Sequence, residues 1–165
     1  MNFARTYSAV SIAEKDLPYS RMVFPSTVVK RLKYWFWRMY TPFHPFARDL
    51  ALNLHLVTPP ASRQNYVIGH LVPGVTIAAI VEFLVERGYG NHFIAWKDQG
   101  EVVSLRRVVG FEYQYHIRIF EDGEIRGHYE YTPECYPLLH YRAINQTDRR
   151  SYFYQLFGDL IHTEN

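Results

Sequence analysis

The sequence predicts an α+β fold in which a mostly antiparallel sheet packs on two or three helices. The sheet is a meander of about four strands plus one further strand. Residues 111–132 form two alternating segments joined by Glu121-Asp122-Gly123, a pattern typical of a β-hairpin. Residues 73–87 are apolar around most of a helical circumference, which indicates a central, buried helix. Residues 148–161 carry a helical apolar stripe, which predicts a terminal helix.

Composition limits the class of protein. The 165 residues fit a single domain, 1–165, and 48% of them are hydrophobic, so the chain folds rather than staying disordered. The aromatic share of 17% is high enough to place some rings at an interface. A net charge of +2 is too small to indicate a nucleic-acid partner by itself. The only cysteine, Cys135, cannot form an internal disulfide, which excludes disulfide-stapled secreted domains.

The predicted location is cytoplasmic. The first residues lack an apolar run of signal-peptide length, and the longest apolar stretch, 75–85, is too short for a transmembrane segment. Residues 1–24 show no period and are predicted to form a loose N-terminal arm.

Residues 27–40 are predicted to form a helix that Ser26 caps and Pro42 ends. Its apolar residues share one face, and we expect that face to pack on the core while the basic face is solvated. In the alternative interpretation the helix lies on an anionic membrane or along a nucleic-acid backbone, with Trp35 and Trp37 as anchors. The apolar stripe comprises Val28, Leu32, Trp35, Phe36 and Met39.

Further elements follow in chain order. Residues 49–57 alternate between leucines and smaller or polar residues, which predicts a half-buried strand of the same sheet. The central helix runs from Pro73 to Arg87, and Gly88 supplies its left-handed cap. Short turns then separate four strands of the meander, at about residues 91–96, 101–108, 111–120 and 124–132.

The register of the hairpin follows from two independent signals. A three-residue loop closed by a left-handed Gly123 keeps apolar and polar residues on separate faces, whereas a one-residue slip would mix them. On the polar face the resulting opposed pairs are Arg118–Arg126, His116–His128 and Gln114–Glu130.

This polar face is the predicted ligand site, made of His116, Arg118, Arg126, His128 and Glu130. Opposed like charges are mildly destabilising, so something compensates for them. The ordinary explanation is that the face is solvated and that glutamates on the same face neutralise the opposed charges. The functional hypothesis is an anion: two guanidinium groups and two imidazoles would bind a phosphate, a carboxylate or a nucleic acid.

Two other functions compete with the anion-binding module. His116, His128 and Glu130 have the ligand types of a catalytic zinc site, which would make the protein a metal-dependent hydrolase; the nearby arginines would repel the cation. A third hypothesis is a homo-oligomer that self-associates through its aromatic surface.

Two smaller predictions concern single residues. A two-residue turn at Val109-Gly110 would oppose Arg107 to Glu112 on the polar face. Cys135, beside apolar neighbours, is interpreted as an inert, partly buried thiol rather than a nucleophile paired with His140.

Overall fold

The computed structural model describes residues 17–43, 46–47, 50, 53–54, 67–91, 98–136 and 146–163. These residues include three helices and a six-stranded antiparallel sheet, which confirms the α+β class with more strands than predicted. The elements are α1 Val28–Tyr40, β1 Val67–Leu71, α2 Ile77–Glu86, β2 Gly90–Asn91, β3 Glu101–Val109, β4 Tyr113–Phe120, β5 Glu124–Tyr131, α3 Gln146–Phe157 and β6 Ile161–His162.

The strand order of the sheet is β2-β3-β4-β5-β1-β6. Strands β3, β4 and β5 pair in chain order as the predicted meander does, and they are the long strands of the sheet. Strand β1, which was not predicted, pairs with β5 on one side and with β6 on the other. Strands β2 and β6, of two residues each, are the outermost strands.

The prediction of a strand at residues 49–57 is wrong at the residues of this segment that the structure describes. Leu50 and Asn53 are helical, and the Leu54 N–H donates to the Leu50 carbonyl at 3.0 Å. Leucine is a strong helix former, so local helical bonding overrides the alternating pattern here. The remaining residues of that segment, and residues 92–96 of the predicted first meander strand, lie outside the described residues.

Both helix starts lie later than predicted because threonine caps them. The Thr76 hydroxyl accepts from the Ala79 N–H at 3.2 Å, so α2 begins at Ile77 and Pro73 lies in the preceding turn. In α1 the Thr27 hydroxyl, rather than that of Ser26, faces the Lys30 N–H at 3.4 Å. Gly88, at a φ of 83°, follows α2 as predicted.

The apolar core lies between one face of the sheet and helices α2 and α3. The predicted terminal helix is confirmed up to Phe157, and Phe153 and Phe157 of its apolar stripe are buried. The predicted end at residue 161 is wrong, because Ile161 is buried as part of strand β6. Gly127 on β5 lets α3 approach closely, since a Cβ at this position would lie 2.9 Å from the Phe153 ring. From the sheet the core includes Leu105, Tyr115, Ile117, Ile119, Ile125 and Tyr129.

Of the predicted N-terminal arm, only residues 17–24 are described. Tyr19 forms a parallel bridge with Asn91 of β2, and the Pro18 carbonyl accepts from the Asn91 N–H at 2.8 Å. This stretch therefore lies along the β2 edge of the sheet.

None of the helices in the described part of the chain has the length and apolar character needed to cross a membrane.

Candidate functional site

The predicted hairpin register is confirmed pair by pair. Arg118 lies opposite Arg126, His116 opposite His128, and Gln114 opposite Glu130. All five residues of the predicted ligand site therefore share one face of β4 and β5, on the side of the sheet away from α2 and α3.

The expectation that this face is solvated is wrong. His116, His128 and Glu130 are each 2% exposed and Arg118 is 3% exposed. Alternation along a strand separates two faces without determining whether either one meets water. The site is consequently a buried polar layer, in which every charge needs a partner.

The two arginines already have carboxylate partners. One Arg118 nitrogen lies 2.8 Å from an Asp98 oxygen and 3.3 Å from a Glu101 oxygen. Arg126 pairs with Glu124 and lies 3.8 Å from Asp98. Three carboxylates thus surround two guanidinium groups, which weakens the electrostatic case for an anion at this position.

His116, His128 and Glu130 converge at the centre of the face. The ligand atoms of all three lie within 4.8 Å of one another. His116 Nδ1 is 3.2 Å from His128 Nε2 and 3.3 Å from Glu130 Oε1, and His128 Nε2 is 3.0 Å from Glu130 Oε2. Two imidazole nitrogens and a carboxylate therefore point at one shared volume.

These separations match the spacing of ligands around one small cation. Zinc bonds of about 2.0–2.2 Å at tetrahedral angles place neighbouring ligand atoms roughly 3.3–3.6 Å apart. The nitrogen–nitrogen separation of 3.2 Å lies just below that edge length, and so do the nitrogen–oxygen separations of 3.3 Å from His116 to Glu130 Oε1 and 3.0 Å from His128 to Glu130 Oε2. Because the two histidines face different oxygens of Glu130, an ion at this centre would be bound by both carboxylate oxygens or would require the carboxylate to rotate.

Ser104 on β3 orients the His116 ring. Its hydroxyl lies 2.6 Å from His116 Nε2 inside the buried layer. A proton on Nε2 would donate to this hydroxyl and leave the Nδ1 lone pair directed at His128 and Glu130. Partners of this kind fix the ring and tautomer of metal-ligating histidines.

A second set of buried groups orients Glu130. The Gln114 amide donates to Glu130 Oε1 at 2.7 Å, and its oxygen accepts from Arg106 at 3.0 Å. Arg106 in turn forms a bidentate pair with Glu134, at 3.1 and 2.7 Å, and donates to the Ser20 hydroxyl at 2.7 Å. The carboxylate is thus held by a chain of charge-assisted hydrogen bonds.

Sequence reasoning placed Gln114 on this face but did not find Ser104, Arg106 or Glu134. For Ser104 and Arg106 the reason is the β3–β4 connection, which has three residues, Gly110 to Glu112, instead of two. Glu134 lies in the turn after β5, where no periodic pattern indicates a face. Arg107 therefore lies opposite Tyr115 on the core side and Arg106 opposite His116, so the predicted pair of Arg107 with Glu112 is wrong. The sequence signal for this turn is Gly110, which adopts the positive φ that the turn requires. A glycine fits loops of two and of three residues, so it does not determine the loop length.

Burial holds the pKa of His116 well below its ordinary value of 6.5, with the nearby His128 and Arg118 adding to the effect and Glu130 opposing it. His116 is accordingly a neutral imidazole at neutral pH, the protonation state that a metal ligand requires.

This depressed pKa predicts a loss of stability in acid. As the pH falls below about 6.5, the unfolded chain takes up a proton at His116 that the folded chain excludes, so the free energy of unfolding falls by at most about 1.4 kcal/mol per pH unit for this group. We expect denaturation curves in chelator-containing buffer between pH 7.5 and 5 to show this slope and the His116→Gln variant to show a shallower one. His162→Ala, which removes an exposed imidazole, is the control. Equal slopes for the wild type and His116→Gln would contradict the prediction.

Cys135 is buried, as predicted. Burial raises the pKa of its thiol, and the opposing effect of Lys33 is smaller. A protonated, enclosed thiol is a poor nucleophile, which agrees with the interpretation of an inert residue. His140 lies outside the described residues.

Fold and site together define an α+β protein in which an antiparallel sheet has an apolar core on one face and a buried ionic layer on the other. No protein-family model, curated protein or solved structure matches this chain.

Proposed function

We propose that the protein binds a divalent transition-metal ion of the zinc class through His116, His128 and Glu130. The observation that carries the proposal is the convergence of two imidazole nitrogens and a carboxylate at separations of 3.0–3.3 Å. Two histidines and one carboxylate form a recurrent ligand set of zinc and non-haem iron sites.

The charges of the layer support a cation over an anion. Among the described residues of this layer, three arginines (Arg106, Arg118 and Arg126) face five carboxylates, so the formal charge is −2 with neutral histidines. The five carboxylates are those of Asp98, Glu101, Glu124, Glu130 and Glu134. Bound metal would bring this charge to zero. The repulsion expected from Arg118 and Arg126 is compensated by their own carboxylate partners.

The reaction class that this ligand set supports is hydrolysis. Three protein ligands would leave one position of a bound zinc-class ion for a water molecule, and such an ion would supply hydroxide near neutral pH by lowering the pKa of that water. A cytoplasmic location is part of the same proposal. Recognition of a phosphate, a carboxylate or a nucleic acid by Arg118 and Arg126 stays a prediction, and it requires displacement of their carboxylate partners.

The test is metal binding by the full-length chain after chelator treatment. We expect calorimetric titration with zinc to give one ion per chain, and Co²⁺ to give the visible absorption bands of a low-symmetry site. His116→Ala, His128→Ala and the isosteric Glu130→Gln should each weaken binding by about 100-fold or more. His162→Ala, the matched control, should bind as the wild type does.

Circular dichroism spectra would establish that the variants are folded. Wild-type affinity in all three ligand variants would contradict the metal site. A separate comparison of the zinc-loaded and stripped protein on an activated phosphate or carboxylate ester tests hydrolysis; one-to-one zinc binding without a metal-dependent rate would retain the metal site and reject the enzyme.

A further inference from the structure

Helix α1 turns its apolar side towards solvent. The expectation that this stripe packs on the core is wrong: its residues are between 52% and 72% exposed, and no residue of the helix is buried. Its members are Val28, Leu32, Trp35, Phe36 and Met39, with Val29 beside them at 65%.

The polar side of α1 contacts the rest of the protein instead. Lys30 forms an ion pair with Glu112, at the turn between β3 and β4. Lys33 donates to the Cys135 carbonyl at 2.7 Å and lies 5.0 Å from the centre of the Tyr136 ring. Lys30 lies on the side of the helix opposite the apolar stripe and Lys33 lies beside the stripe, so these contacts hold the stripe outward.

The exposed apolar surface continues on both sides of α1. Val23 and Phe24 precede the helix and are more than half exposed, as are Phe43 and Phe46 after it. Isolated exposed apolar residues are ordinary on protein surfaces, whereas a contiguous patch around one helix marks an interaction site. We define the α1 patch as Val28, Val29, Leu32, Trp35, Phe36 and Met39.

Charge indicates what covers this patch. Residues 17–48 contain six lysines and arginines and no aspartate or glutamate. Arg31 and Arg38 are exposed along one border of the patch, and Arg21 is exposed just before the helix. The complementary surface is therefore apolar at depth and negatively charged at its rim, as an anionic bilayer is.

We propose that α1 docks on an anionic lipid membrane, lying in the plane of the headgroups with the α1 patch inserted. A helix of 13 residues is about 20 Å long, shorter than the roughly 30 Å hydrocarbon layer, so it lies along the surface. Trp35 sits within the patch, where an indole ring favours the interface. A second copy is a poorer occupant, because face-to-face helices would bring their arginines together with no carboxylate on either helix to pair them.

The experiment is co-sedimentation of the full-length protein with vesicles of phosphatidylcholine alone, or of phosphatidylcholine and phosphatidylserine in equal parts. We expect strong binding only to the anionic vesicles, with loss at high salt. Phe36→Ser/Met39→Ser should reduce binding at least tenfold. Arg31→Gln/Arg38→Gln should reduce it by about fivefold for each charge removed.

Tyr154→Ser is the control, since it removes a large side chain that is 39% exposed on α3, outside the α1 patch, and should bind as the wild type does. Because the side chains of the α1 patch are exposed and do not pack in the core, the variants should remain folded. Absence of binding to anionic vesicles, or equal binding by the Phe36→Ser/Met39→Ser variant, would overturn the proposal. So would a concentration-dependent dimer in sedimentation velocity that the same variant abolishes, since this would assign the patch to a second copy.

Discussion

Replacing Arg106 with methionine is expected to lower the free energy of unfolding by about 3–5 kcal/mol. Arg106 is 3% exposed and forms a bidentate pair with Glu134, which is 5% exposed. Methionine fills similar space but leaves the Glu134 carboxylate buried without its guanidinium partner. It also removes the donor to the Gln114 oxygen, so the side chain that donates to Glu130 loses the partner that orients it. Urea denaturation in chelator-containing buffer measures the change.

Arg87→Met is the control for this prediction. Arg87 is exposed and stacks over the Phe83 ring, and its ion pair with Glu86 is a surface pair at 3.9 Å, so we expect a cost below about 1 kcal/mol. The double variant Arg106→Met/Glu134→Leu should recover most of the lost stability, because neither charge is then buried alone. A loss of unfolding free energy in Arg106→Met that is no larger than the loss in Arg87→Met would contradict a stabilising role for the buried Arg106–Glu134 pair.

Zinc is expected to stabilise the protein by about 2.7 kcal/mol when its free concentration is 100-fold above the dissociation constant, and by about 4.1 kcal/mol at 1,000-fold. The ligand atoms of the triad are brought together only by the pairing of β4 with β5, so the unfolded chain has no preformed site. Urea denaturation at several zinc concentrations should show that the free energy of unfolding rises with the logarithm of the free zinc concentration.

Glu130→Gln tests whether this stabilisation arises at the proposed centre. The substitution keeps the shape of the side chain and removes the anionic ligand, so the zinc-dependent rise should disappear. His162→Ala should retain it. An equal rise in Glu130→Gln would mean that zinc binds elsewhere on the folded chain, and that outcome would contradict the triad.

The hairpin was predictable because two local signals determine it. Gly123 sets the loop length, and the alternation from Tyr113 to Ile119 sets the faces; together they determine the opposition of His116 with His128. The helices α2 and α3 were predictable because their apolar stripes match the helical period. Strand β6, of two residues, is too short for any period to show.

The surroundings of the candidate site could not be predicted from the sequence. The alternation that places His116 and Glu130 on a polar face is the same whether that face meets water or a second layer. The β3–β4 loop is one residue longer than predicted, and this single residue exchanges the two faces of β3. Arg106 therefore lies on the face of the candidate site. For α1, the spacing of Leu32, Phe36 and Met39 identifies an apolar side but not its partner.

The arrangement of strands has a consequence for how molecules of this protein meet one another. Among the described strands, β4 and β5 have a hydrogen-bonded neighbour on each side, and the ends of the sheet are β2 and β6 with two residues each. Strand β2 pairs with Leu105 and Arg106 of β3, and Tyr19 bridges to its outer side. Short terminal strands offer little free backbone for intermolecular strand addition, the usual route to amyloid-like aggregation. A second molecule that added a strand to β2 or β6 would therefore gain few backbone hydrogen bonds from those two strands.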